Sequence, residues 1–229
     1  MTTLARPGSL SRSPLLDLGP VAQLRAGRLG RRLPQLYVGL VLYGVSLAMM
    51  VRGRLGLAPW DVLHIALTHY VPLSIGEVLV VVSFLVLLLW IPLRESPGLG
   101  TVSNAVVVGV SADATLAVLD APQAGAARLA LTVGGVVLCA VAGALYIGAQ
   151  LGRGPRDGLM TGLARRTGLS LRLVRTGLEL AVVSLGLALL MAHGGTGALG
   201  ALGVGTVLYA LGIGPLTQLM LPACTVRLA

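Results

Sequence analysis

Long apolar runs separated by short polar or Gly/Pro-containing breaks set the pattern of this chain. Six of them, Gln35 to Val51, Leu73 to Pro92, Gly100 to Leu119, Ala127 to Gln150, Leu171 to Met191 and Ala198 to Leu221, reach or approach the length a membrane helix needs. None alternates apolar and polar residues with the period of a barrel strand, so the predicted fold is all-α, a multi-pass transmembrane helical bundle. Two shorter segments interrupt the series, Pro59 to Tyr70 and Pro155 to Thr167. Each opens with Pro at a first helical position, and an Asp two residues later, Asp61 or Asp157, suits the positive end of a helix dipole. At 1.5 Å per residue a twelve-residue helix covers about 18 Å, so each segment is predicted to dip into the bilayer as a half-helix rather than to cross it.

The two short segments are copies of one another. Leu55-Gly56-Leu57-Ala58-Pro59-Trp60-Asp61-Val62-Leu63 recurs 96 residues later as Leu151-Gly152-Arg153-Gly154-Pro155-Arg156-Asp157-Gly158-Leu159. The same offset aligns Gly39 with Gly135 and Ser74 with Ser170. Farther on, Gly100-Thr101-Val102 matches Gly205-Thr206-Val207 at an offset of 105, which places nine added residues near the Gly-rich stretch from His193 to Gly200. The chain therefore reads as an internal duplication with three spans and one half-helix in each copy. An odd number of spans inserts the second copy upside down, the inverted arrangement of many secondary transporters and some channels. The expected organisation is a cytoplasmic Arg/Pro-rich tail over 1–34, a first membrane repeat over 35–120, a second over 127–222 and a short C-terminal tail over 223–229.

Composition agrees with a lipid solvent: 55% of the 229 residues are hydrophobic, 11% are charged, and the mean hydropathy is +0.90. The net charge of +9 comes from seventeen Arg and no Lys. In a soluble protein it would suggest nucleic acid, but here it follows topology. Arg6, Arg12, Arg25, Arg28, Arg31 and Arg32 precede the first span and put the N-terminus in the cytoplasm by the positive-inside rule. With six spans, Arg94, Arg153, Arg156, Arg165, Arg166, Arg172, Arg175 and Arg227 fall on that side, and only Arg52, Arg54 and Arg128 lie outside. Pro7, Pro14, Pro20 and Pro34 break the tail's apolar residues, so no signal peptide is expected; most of the tail is expected to be disordered or to lie on the anionic inner leaflet.

Leu55 to His64, the run Pro97 to Asn104 with Gly109 and Asp113, and Leu151 to Leu163 together resemble the YczE/YitT-like family of bacterial integral membrane proteins, its YczE-like members in particular. The similarity extends from about Arg32 to Pro222 and rests on several ungapped motifs in one order. It implies a multi-pass protein of the bacterial plasma membrane and supplies no substrate.

The candidate solute-binding residues are the polar groups at membrane depth: Asp61, Asp157, Asp113, Pro59, Trp60, His64, Asn104, Pro155, Arg156 and Glu179. Asp61 and Asp157 could equally serve as helix caps. Asp113 shares a face with Ala105 and Gly109, small residues that admit another helix, and is expected to act in coupling, with an Arg-paired structural role as the alternative. His64 lies one turn beyond Asp61 and could share a proton with it, although Met160 replaces it in the second copy. Glu179 has Ser83, not an acid, as its counterpart. Asn104 and Thr101 suit hydrogen bonds between helices, and Glu77 is expected to snorkel to an interface.

Cys139 and Cys224 are isolated, the three His lack zinc spacing, and the Gly158-to-Gly162 spacing reads first as helix packing. No nucleotide loop, dinucleotide fingerprint or hydrolase motif occurs. Neither a catalytic residue, nor a metal, nor a cofactor, nor nucleic acid is therefore expected. The partners expected are the lipid bilayer and a small solute or ion, with a homo-oligomer or a membrane protein partner left open. A small-solute or ion secondary transporter or channel is the first reading, an accessory protein that modulates or organises a partner enzyme the second, and an intramembrane enzyme the third.

Overall fold

The computed structural model describes residues 18–195 and 198–228, all of it helix and connecting loop. The part of the tail that carries Arg6 and Arg12 lies outside the described residues. Among the described residues ten helices follow in order: α1 (Pro20–Arg25), α2 (Leu29–Gly53), α3 (Pro59–Thr68), α4 (Ile75–Leu93), α5 (Leu99–Val118), α6 (Gly125–Gly148), α7 (Pro155–Thr167), α8 (Leu171–Ala192), α9 (Ala198–Ala201) and α10 (Val204–Cys224). Six of them, α2, α4, α5, α6, α8 and α10, are long and apolar enough to cross a membrane. The two short helices begin at Pro59 and Pro155, and their 10 and 13 residues are too few to span.

The ends of these helices are written in the local sequence. Ser74 and Glu77 form a capping box on α4, and Ser170 accepts from the Leu173 amide on α8. Glu77 is thus committed to its own helix start, where snorkelling was expected. The breaks before α3 and α7 each contain a glycine at positive φ, Gly56 at 112° and Gly152 at 136°, a conformation that side chains with a Cβ rarely adopt. The last apolar run divides: Ala198 to Ala201 is a separate turn, and α10 starts only after the extended Gly203.

Central helices α2 and α6 pack against each other through glycine contacts that repeat in reverse. Gly39 of α2 lies against Ala142, Leu145 and Tyr146, and Gly135 of α6 lies against Ser46 and Met50. α5 then covers α2, α10 covers α6, α3 packs on α8, and α7 packs on α4. The breaks are closed by the same exchange. Gly205 donates its amide to the Leu55 carbonyl at 2.7 Å, and Gly100 donates to the Leu151 carbonyl at 2.7 Å. Around this frame the outer surface is apolar, with Leu85, Leu88, Ile91, Val110, Leu180, Leu211 and Leu219 among the exposed side chains, as lipid-facing helices require.

Arg32 departs from the expected tail. Helix α2 begins before it, its side chain is fully buried, and it donates to the carbonyls of Ala149 (2.8 Å), Gln150 (2.6 Å), Gln23 (2.6 Å) and Gly27 (3.2 Å). A cation satisfies the open carbonyls just past the end of α6 and holds α1 to the bundle. Its observed role is therefore in packing.

Candidate functional site

The N-terminal ends of α3 and α7 come together inside the bundle. Pro155 starts α7, and its carbonyl accepts from the buried Trp90 indole at 3.0 Å, which fixes that end against α4. Gly158 leaves the room for this ring, since a Cβ there would lie 2.6 Å from Trp90 Cε2. On the other side Gly186 of α8 lets the backbone of α3 approach, a Cβ at that position meeting the Leu63 nitrogen at 2.8 Å. Each half-helix is thus seated by a helix of the opposite half.

Where the ends meet, the guanidinium of Arg156 lies over the Trp60 ring, 5.1 Å from its centroid, and Nη2 is 4.0 Å from Asp61 Oδ1. Asp157 accepts a hydrogen bond from the Tyr146 hydroxyl. Asp61 Oδ1 faces His64 Nδ1 at 3.4 Å, and beyond this contact neither atom has a hydrogen-bond partner. The Trp60 indole nitrogen is likewise without one.

Beside this junction is a cavity of about 320 Å³, lined from α2 by Tyr43, from α6 by Cys139 and Tyr146, from α7 by Arg156 and Asp157, from α8 by Arg175 and Glu179, and from α10 by Tyr209, Thr217 and Gln218. Arg175 Nε donates to Glu179 Oε1 at 2.9 Å across one helical turn. A second void of about 50 Å³ lies behind Tyr146, Arg156 and Asp157 and is lined by Asn104, Ser83 and Pro155. The large cavity is flanked by α8 and α10, which hardly touch, whereas their counterparts α4 and α5 pack closely. That closure uses Gly76 and Gly109: a Cβ on Gly109 would meet Val80 at 2.7 Å, and one on Gly76 would meet the Asp113 carboxylate at 2.6 Å. Arg172 stands 96 residues after Gly76, and so bulky a residue does not permit the same approach.

Of the residues singled out from sequence, Trp60, Asp61, His64, Arg156, Asp157 and Glu179 gather at or next to this cavity, Asn104 and Pro155 line the smaller void, and Pro59 begins α3. Asp113 does not join them. Its carboxylate accepts from the Ser74 hydroxyl and, at 2.8 Å, from the Gly76 amide, so it caps the start of α4. The small face formed by Ala105 and Gly109 does receive a helix, α4, but the acid on that face serves the helix terminus. Arg156 and Arg175, counted with the cytoplasmic arginines, instead line the cavity. Tyr43, Tyr146 and Tyr209 are site residues that the pattern of charged and Pro-x-Asp positions does not mark; their hydroxyls within apolar runs are the signal the sequence offers.

The described residues hold no group of three or more His, Cys, Asp or Glu able to bind a metal ion. What the arrangement offers is a chamber of mixed apolar and polar lining, with charged side chains of both signs and three tyrosines in its wall.

A polytopic helical membrane protein with two broken segments meeting at a charged cavity is the class that this fold and site define. Residues 30–222 match the family of unknown function DUF6198, and the chain belongs to that family. It is 36% identical over 140 residues to an uncharacterized protein of Haemophilus influenzae, covering 61% of this chain and 64% of that one. It is 30% identical over 141 residues to the uncharacterized membrane protein YczE of Bacillus subtilis, covering 61% and 66%. The matched stretch is thus less than two thirds of either relative's length. No solved structure matches.

Proposed function

We propose that this chain is a secondary transporter of a small polar solute or ion, built from two inverted halves whose half-helix ends form the binding site, in the bacterial plasma membrane with its N-terminus in the cytoplasm. The single observation that carries the reading is the cavity of about 320 Å³ that Arg156, Asp157, Arg175 and Glu179 line beside the junction of α3 and α7. Charged groups at membrane depth cost on the order of 3 kcal/mol or more unless they are paired or used. The inverted arrangement is supported by the exchanged contacts, Leu55 with Gly205 and Leu151 with Gly100, and by the three spans in each half. The size of the cavity suits a solute at the small end of the range for ligand pockets, and the reading involves no chemical conversion of it.

The sparse packing of α8 against α10 favours a second reading, in which a membrane helix of a partner seats there and the chain organises that partner. Purified protein screened for solute-induced thermal shifts, followed by uptake of each stabilising solute into proteoliposomes, separates the two. Transport predicts uptake by this chain alone that Asp157→Asn and Arg156→Gln abolish. Stabilisation by no solute, no uptake and copurification of a stable partner would favour the accessory role.

A further inference from the structure

Asp61 and Asp157 hold matching places in the sequence, yet their surroundings differ. Asp157 receives the Tyr146 hydroxyl. Met50 stands 96 residues before Tyr146 and lies against Gly135 as Tyr146 lies against Gly39, so it fills the equivalent place with a side chain that has no proton to donate. Asp61 Oδ1 consequently lacks a donor. It faces His64 Nδ1 at 3.4 Å, that nitrogen is equally unpartnered, and the two side chains are 8% and 1% exposed. With the His64 proton on Nε2, Nδ1 offers a lone pair to a carboxylate oxygen that does the same, and a single added proton between them satisfies both.

We infer that the Asp61–His64 pair, which adjoins the cavity through Arg156, is a proton-binding site and that the proton is the coupling ion, an inference that rests on the transport reading. A metal cation at Asp61 would need several oxygen ligands, whereas the facing groups are an imidazole and, at 4.0 Å, the Arg156 guanidinium. The proton binds the Asp61 carboxylate, which becomes a neutral acid donating to His64 Nδ1. Arg156 then loses one of its two carboxylate neighbours and turns to Asp157 and to any anionic group in the cavity, so a proton and an anionic solute bind together.

Arg156 reaches toward Asp61 from the adjoining cavity, and the other titratable groups of that cavity fit this assignment. Helix α7 presents Arg156 and Asp157, and α8 presents Arg175 with Glu179. Tyr43 comes from α2, Cys139 and Tyr146 from α6, and Tyr209 from α10. Helix α4 has no titratable side chain between Val78 and Leu89. Asp157 already has its donor and Glu179 its Arg, which leaves Asp61 as the acid whose ordinary partner is missing.

Infrared difference spectra between acid and alkaline pH, taken on the protein in lipid nanodiscs, read this proton directly. The expected result is the carbonyl stretch of a protonated carboxylic acid on acidification, shifted by 13C-aspartate labelling, absent in Asp61→Asn, displaced in His64→Gln and retained in Asp157→Asn. Should Asp61→Asn fail to fold, Asp61→Glu in 13C-aspartate-labelled protein should remove the isotope shift. Absence of the band, its loss in Asp157→Asn with retention in Asp61→Asn, or a band indifferent to His64→Gln would overturn the inference. The spectra require no solute and no flux. A missing band therefore removes the proton site while transport with another coupling ion stands, and a present band survives a failed uptake assay.

Discussion

The Arg156 guanidinium stacks on the Trp60 ring at 5.1 Å from its centroid, and the two residues occupy the same position in sequences that repeat 96 residues apart. Residues at matching places in the two similar stretches thus meet, one supplying the ring and the other the cation. Arg156 also reaches to 4.0 Å from Asp61, while Asp157 is held by Tyr146. Removing that cation leaves Asp61 without a counter-charge inside the bundle, a change expected to cost about 3–5 kcal/mol. Arg156→Met should therefore lower thermal stability in detergent strongly, and adding Asp61→Asn should recover part of the loss. Strictly additive losses would show that the two groups do not interact.

Tyr146 carries a second prediction. Its hydroxyl is the donor to Asp157, so Tyr146→Phe removes a charge-assisted hydrogen bond from a partly buried carboxylate. The expected destabilisation is about 2 kcal/mol, read from the unfolding midpoint. Uptake should fall as well, because Asp157 would then compete for Arg156. A variant with unchanged stability would contradict the pairing.

Asp113 should behave as a cap. Asp113→Ala removes both acceptors at the start of α4 and is expected to cost about 1–2 kcal/mol, while uptake per folded molecule stays at the wild-type level. Selective loss of uptake with normal stability would return this acid to the site.

Much of this architecture can be read from the chain. Apolar run length locates the six spans, and the Pro-x-Asp repeats mark the starts of α3 and α7 at the residues where those helices begin. What stayed hidden depends on side-chain direction. Asp113 and Asp61 look alike as intramembrane acids, and only the approach of Gly76 to Gly109 reveals that Asp113 meets a helix terminus. Arg32, Arg156 and Arg175 are indistinguishable in a charge count from arginines that set topology. Which of them turns inward is decided by where α6 ends and how α7 and α8 pack, both long-range matters. Tyr146 escaped notice because its counterpart Met50 breaks the repeat at the one position where the two acids come to differ.

The inverted arrangement makes a topological prediction. Single cysteines at the exposed Gln123 and Thr167, in a background lacking Cys139 and Cys224, should react with impermeant thiol reagents from opposite faces of the membrane. Labelling from the same face would reject the inverted repeat.

A secondary transporter must open its binding cavity to both faces of the membrane, and one cysteine tests this. Thr217 lines the cavity from α10, close to Gly143 of α6. Thr217→Cys in a background of Cys139→Ala and Cys224→Ser can be exposed to an impermeant thiol reagent in proteoliposomes, first from outside and then, in vesicles loaded with reagent, from inside. Alternating access predicts reaction from both faces, with the two rates moved in opposite directions by a solute that stabilises the protein. Reaction from one face alone under every condition would contradict it.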